Sequence, residues 1–128
     1  MNEKREHPRF LCDEYFGDAT LASGKGSLSA RSINFNHLGL ALFTPNFLPE
    51  GEQRQISFRY HSEDRDLLIQ QIPCLVIYAN ETEVGNLYGI HFQSATLNEE
   101  ICEKLRCIEG ILAQRNQLHG RYGIEGNS

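Results

Sequence analysis

Between Phe10 and Gln93 the chain is written in short stretches that alternate apolar and polar residues, each broken by glycine, proline or a polar cluster. Residues 55–60 are the cleanest case, with Ile56, Phe58 and Tyr60 on one face and Ser57 and Arg59 on the other. That is the side-chain period of a strand with one buried face. Residues 10–15, 19–23 and 27–34 read as further strands, the last two joined by a hairpin turn at Gly24-Lys25-Gly26. Leu38, Leu40 and Leu42 alternate with Gly39, Ala41 and Phe43, and Pro45 with Pro49-Glu50-Gly51 ends that strand. Residues 61–66 are polar and read as a loop. Residues 67–79 form the longest apolar-rich stretch, and Pro73 within it cannot donate to a ladder, which predicts a bulge, an edge position or a break. Residues 80–83 read as a turn and 87–93 as the last strand. Six or seven short antiparallel strands predict a mainly β fold, a small barrel or sandwich.

The period changes at Thr96-Leu97-Asn98-Glu99, which matches a Thr-x-x-Glu capping box. Leu97, Ile101, Leu105, Ile108 and Leu112 then fall on one helical face. The helix is expected over residues 96–118, with Gly110 costing about 1 kcal/mol relative to alanine and a mobile glycine-rich tail at 119–128. The apolar stripe predicts packing on the chain's own barrel, a homodimer being its alternative use. One domain over 1–128 is expected: an arm (1–9), a barrel (10–94), the helix and the tail.

A net charge of −5 argues against a general nucleic-acid binder, which needs an extended basic surface. No apolar run approaches the ~20 residues of a membrane-spanning helix. The charged start Met1-Asn2-Glu3-Lys4-Arg5 is followed by no secretory apolar region, so no membrane insertion and a cytoplasmic location are expected. Cys12, Cys74, Cys102 and Cys107 lack metal-ligand spacing and read as reduced, mostly buried thiols. The histidines, His7, His37, His61, His91 and His119, lie in separate segments, so neither a metal nor a cofactor is expected. With no nucleophile elbow, P-loop or carboxylate pair, the chain does not read as an enzyme.

Chemistry concentrates at Lys4-Arg5-Glu6-His7-Pro8-Arg9. Pro8 disfavours helix at His7, so Arg5 and Arg9 are displayed on an extended arm. Each guanidinium offers planar, permanently charged donors suited to phosphate or a guanine edge, and a flat face for stacking. Lys4 and Arg31 are additional candidates for an anionic ligand. The arm's counterpart is Asn34-Phe35-Asn36-His37-Leu38-Gly39.

An Arg-x-x-x-Arg arm, an Asn-x-Asn-x-x-Gly segment at a strand end, the run Tyr88-Gly89-Ile90-His91-Phe92 and a closing helix together resemble the PilZ domain. The resemblance implies a six-stranded antiparallel β-barrel that binds the bacterial second messenger cyclic di-GMP. Arg5 and Arg9 match the first family motif, and by analogy contact phosphates and guanine edges. Asn34 and Gly39 match the second, with Asn36 standing where the family has serine. Gly39 is expected where backbone approaches a base or takes positive φ. The implied role is a cyclic di-GMP receptor whose arm orders on binding and signals to a downstream protein. The alternative is a PilZ-like interaction module that binds no nucleotide. The two diverge on Asn36→Ser, expected to tighten a weak nucleotide site and to leave a non-binding module unchanged.

Overall fold

The alternating stretches become seven antiparallel strands in the computed structural model, which describes residues 7–23, 26–48 and 53–127. They are β1 (Phe10–Leu11), β2 (Ala19–Ser23), β3 (Gly26–Asn36), β4 (Gly39–Thr44), β5 (Gln53–His61), β6 (Asp66–Thr82) and β7 (Gly85–Phe92). A 3-10 turn at Ser94–Thr96 leads into α1 (Glu99–Asn127). Six strands run β3-β2-β5-β6-β7-β4, and β4 pairs back onto β3, closing a barrel. The short β1 adds to the outside of β3. Closure pairs both terminal strands of the ring with each other, so among the described residues it leaves no long open edge.

Period-two patterning decides what fills the barrel. Phe35, Leu40, Ile56, Phe58, Tyr60, Tyr88, Ile90 and Phe92 are all buried. Phe16 stacks on Phe58 with ring centres 5.3 Å apart, Phe58 on Phe92 at 5.8 Å, and Phe35 meets Phe58 edge-on. Such offset and edge contacts add to the stabilisation from area burial. Leu105, Ile108 and Leu112 of α1 are buried in the same core, with Leu97 and Ile101 packed partly against it. The helix stripe therefore packs on its own barrel.

Three boundaries differ from expectation. The strand expected over 10–15 ends at Leu11, because the Asp13 carboxylate accepts the Tyr15 amide at 3.0 Å and the Asp13 carbonyl accepts the Phe16 amide at 3.1 Å. This side-chain turn competes with the ladder, and Phe16 rejoins the sheet only as a single bridge to Tyr60. The helix starts at Glu99 and not at a Thr96 cap. The Thr96 hydroxyl is spent on the Gln93 carbonyl at 2.7 Å, while Asn98 Oδ1 accepts the Ile101 amide at 2.9 Å, the N-cap bond. At its other end α1 runs to Asn127, past the expected limit at 118. No proline interrupts this segment, and extending a nucleated helix needs only one residue fixed per new bond.

Pro73 neither breaks β6 nor sits at an edge, for β6 lies between β5 and β7. The predicted bulge is present just ahead of it. The register jumps between Ile56 and Phe58 on β5, with Gln71 at φ 52° and its amide donated to Ser57 Oγ at 2.8 Å. A second jump, between Val76 and Tyr78, leaves Ile77 as the extra residue opposite β7. A third lies between Ser32 and Asn34 on β3. Each extra residue turns the following side chains to the other face.

Candidate functional site

The site follows from one inward residue. Phe35 points into the core with none of its surface exposed, so its neighbours Asn34 and Asn36 belong to the opposite, outer face. Pairing extends that face across four strands. Asn34 lies opposite Ala41, Ala41 opposite Gly89, and Gly89 opposite Tyr78. The neighbouring row runs from Asn36 to Gly39 to His91. Two of these positions have no room for a side chain. A Cβ on Gly89 would run into the Tyr78 ring, which therefore lies flat across β7. A Cβ on Gly39 would run into the Ile90 carbonyl and come within 3.1 Å of Arg9 Nη2. Gly39 is thus a glycine because the neighbouring strand approaches closely, a reason that was not expected, and it does not take positive φ.

Arg9 reaches this face from outside the barrel. Its Nη1 donates to the Tyr78 hydroxyl and its Nη2 to the Ile90 carbonyl, each at 3.4 Å, the weak end of hydrogen-bond geometry. The guanidinium is thereby brought over Gly39 and beside an aromatic ring. Asn34 Oδ1, on the same outer face, is buried and has no hydrogen-bond partner among the described residues. A buried acceptor without a partner carries a desolvation cost of about 1–3 kcal/mol, which a donor from a ligand would offset.

Asn36 is arranged quite differently. Its Oδ1 accepts the Leu38 amide at 2.8 Å and the Gly39 amide at 3.0 Å, while its Nδ2 donates to the His7 carbonyl at 2.7 Å. Two donors on one side and an acceptor on the other fix which way the amide points. The adjoining His37 is tied to the helix: its backbone amide and its Nδ1 each lie 2.8 Å from Glu109 Oε1. The His7 and His37 rings meet edge to face at 5.0 Å.

The structure therefore brings Arg9, Asn34, Asn36 and Gly39 together. Arg31 is exposed on β3 opposite Phe43, further along the strand from Asn34. Lys4 and Arg5 lie outside the described residues. Tyr78 is the residue that sequence reasoning missed; alternation along β6 is reset by the extra Ile77, and the glycine that makes room for its ring lies on another strand. A separate cleft of about 350 Å³ between the β5–β6 loop and α1, lined by Tyr15, Ser62, Arg65 and Arg115 among others, shares no residue with this face. Among the described residues no cluster of His, Cys, Asp or Glu has the arrangement of a metal site. None of the helices described is long and apolar enough to cross a membrane.

No curated protein sequence matches the chain. Among solved structures, the PilZ domain of YcgR from Escherichia coli with c-di-GMP superposes with a TM-score of 0.70 at 14% identity, covering 93% of this chain and 98% of that one. The inhibitor of motility MotI/DgrA of Bacillus subtilis gives 0.69 at 14% identity, over 94% of this chain and 54% of its own. PlzA of Borreliella burgdorferi in complex with c-di-GMP gives 0.55 at 11% identity, over 87% and 53%. The chain thus spans about half the length of the latter two. At these identities the superpositions speak for the fold alone. The family model described as the PilZ domain matches residues 3–109, most of the sequence, and the chain belongs to the PilZ domain family.

Proposed function

We propose that the protein is a non-enzymatic cytoplasmic receptor for cyclic di-GMP, working in a bacterium as an adaptor that presents its ligand-bound face to a downstream protein. The observation that carries this reading is the meeting of Arg9 and Tyr78 over Gly39, with the unpartnered Asn34 Oδ1 on the same outer face. A cyclic guanine dinucleotide offers anionic phosphates, N7 and O6 acceptors, an N–H donor edge and two flat bases. Arg9 answers the phosphates and acceptors, Asn34 Oδ1 the donor edge, and Tyr78 with the guanidinium planes the base faces. Arg5 supplies the second guanidinium and Arg31 or Lys4 a further cation. Holding the anion needs only this local charge, which acts within about 8 Å at physiological salt, so the net charge of −5 is no obstacle. Two of the superposed structures contain c-di-GMP by their own description, which supports the choice of ligand.

Titration calorimetry with cyclic di-GMP tests the reading. Saturable binding at micromolar protein is expected, with cyclic di-AMP giving none because its purine edge reverses the O6 acceptor into a donor. Arg9→Ala and Arg5→Ala should each weaken binding by roughly tenfold or more, the worth of a charge-assisted contact. A flat cyclic di-GMP titration would leave the alternative, a PilZ module that works by protein contacts alone.

A further inference from the structure

We infer that Asn36 is a positioning residue, a latch that pins the root of the arginine arm before any nucleotide arrives, and not itself a contact to the nucleotide. The residue is 3% exposed, and both lone pairs of its Oδ1 are used by the Leu38 and Gly39 amides. Its Nδ2 reaches the other way, to the His7 carbonyl at 2.7 Å. A serine at this position accepts the turn amides through its hydroxyl, but it has no second polar atom further out with which to hold the arm. Asparagine does both. The edge-to-face packing of His7 on His37 joins the same two segments a second time, and Glu109 holds His37 from the helix side. Pinning the His7 carbonyl constrains Arg9 as well, since the only residue between them is Pro8, whose φ is fixed.

The consequence for binding rests on the receptor reading above. When only the closed arm binds, apparent affinity scales with the fraction of molecules already closed. Asn36→Ser, which returns the residue of the family pattern, removes one hydrogen bond from the closed state. It should therefore weaken cyclic di-GMP binding, by roughly fivefold, the reverse of what the motif alone suggests.

The experiment has two arms. In the first, 15N relaxation is measured on the ligand-free full chain, wild type beside Asn36→Ser and Asn36→Asp. The aspartate keeps the acceptor for Leu38 and Gly39 but sets a carboxylate oxygen against the His7 carbonyl. Order parameters at His7 and Arg9 should lie near about 0.85 in the wild type and fall below about 0.6 in both variants, with Leu40, Leu42 and Ile90 unchanged. Unchanged values at His7 and Arg9 would overturn the latch, and so would a loss of order through the barrel in both variants, which would make Asn36 a residue of the fold. In the second arm, cyclic di-GMP is titrated into wild type and Asn36→Ser. Equal or tighter binding by the serine variant would overturn the positioning role. A wild type that takes no cyclic di-GMP would sink the receptor reading, and relaxation alone would then decide the latch.

Discussion

Gly39 stands under a guanidinium and against a carbonyl, which makes it the most informative single position to alter. Gly39→Ala places a methyl group against the Ile90 carbonyl and at Arg9, so β4 and β7 must separate locally. A stability loss of about 1–3 kcal/mol is expected, read as a lower midpoint in urea. Binding should fall with it in calorimetry, since Arg9 loses its seat; a variant of wild-type stability would show that the strands have slack. Tyr78→Ala should instead leave the fold nearly unaffected, because the half-buried ring lies on the outer face, and should lower cyclic di-GMP affinity by about tenfold, the worth of one stacked base. At this scale the sequence was a partial guide. That Arg9, Asn34, Asn36 and Gly39 meet on one face was legible, because motif spacing and strand alternation agree about it. The contacts of Asn36 and the place of Tyr78 were not legible. The role of Asn36 depends on a carbonyl 29 residues away, and that of Tyr78 on a missing Cβ across the ladder.

At the scale of elements, local competition between side chain and backbone set the boundaries. Asn98→Ala removes the cap actually used by α1 and should cost about 1 kcal/mol, a fall in melting temperature of roughly 4 °C. Thr96→Ala leaves that cap intact and should shift the melt less; the opposite order would restore the capping box to Thr96. Strand existence was legible wherever four or more residues alternate, as along β5. Strand ends and bulges were not, because the carboxylate that ends β1 and the extra residues in β3 and β6 do not change the composition of the segments that carry them. Coupling between elements was likewise hidden. Nothing in the spacing of Glu109 on its helix announces that it holds the His37 turn, and with it the floor beneath the arm.

For the whole molecule, the closed ring and its aromatic interior set stability. Phe58 meets Phe16, Phe35 and Phe92, so Phe58→Ala opens the centre of the barrel and should cost about 3–5 kcal/mol. Thermal unfolding checks this directly. Two thiols report on the same interior: burial pushes Cys74 up to about 12, and burial with the Asp13 charge does the same for Cys12. Their thiolates are scarce at pH 8, so both should resist iodoacetamide in the native protein and react once it is unfolded, as mass spectrometry will show. A folded pKa above the ordinary value of 9.0 means that the native state holds its proton longer. The stability this contributes is full below about pH 9 and is lost as pH climbs toward about 12. Tyr60 adds to the same alkaline loss, its hydroxyl pushed up first by burial and then by its bond to Asp13.

One feature of the barrel's outer margin reaches beyond binding. Asn116 of α1 accepts the Leu11 amide at 2.7 Å and donates to the Leu11 carbonyl at 3.0 Å, so a single side-chain amide takes the place of a neighbouring strand. The short added strand is where a closed ring would otherwise present unpaired backbone to a second molecule, and there a helix residue occupies both groups. Backbone groups left open at such a margin are what a second strand would add to, and at Leu11 the helix already occupies them.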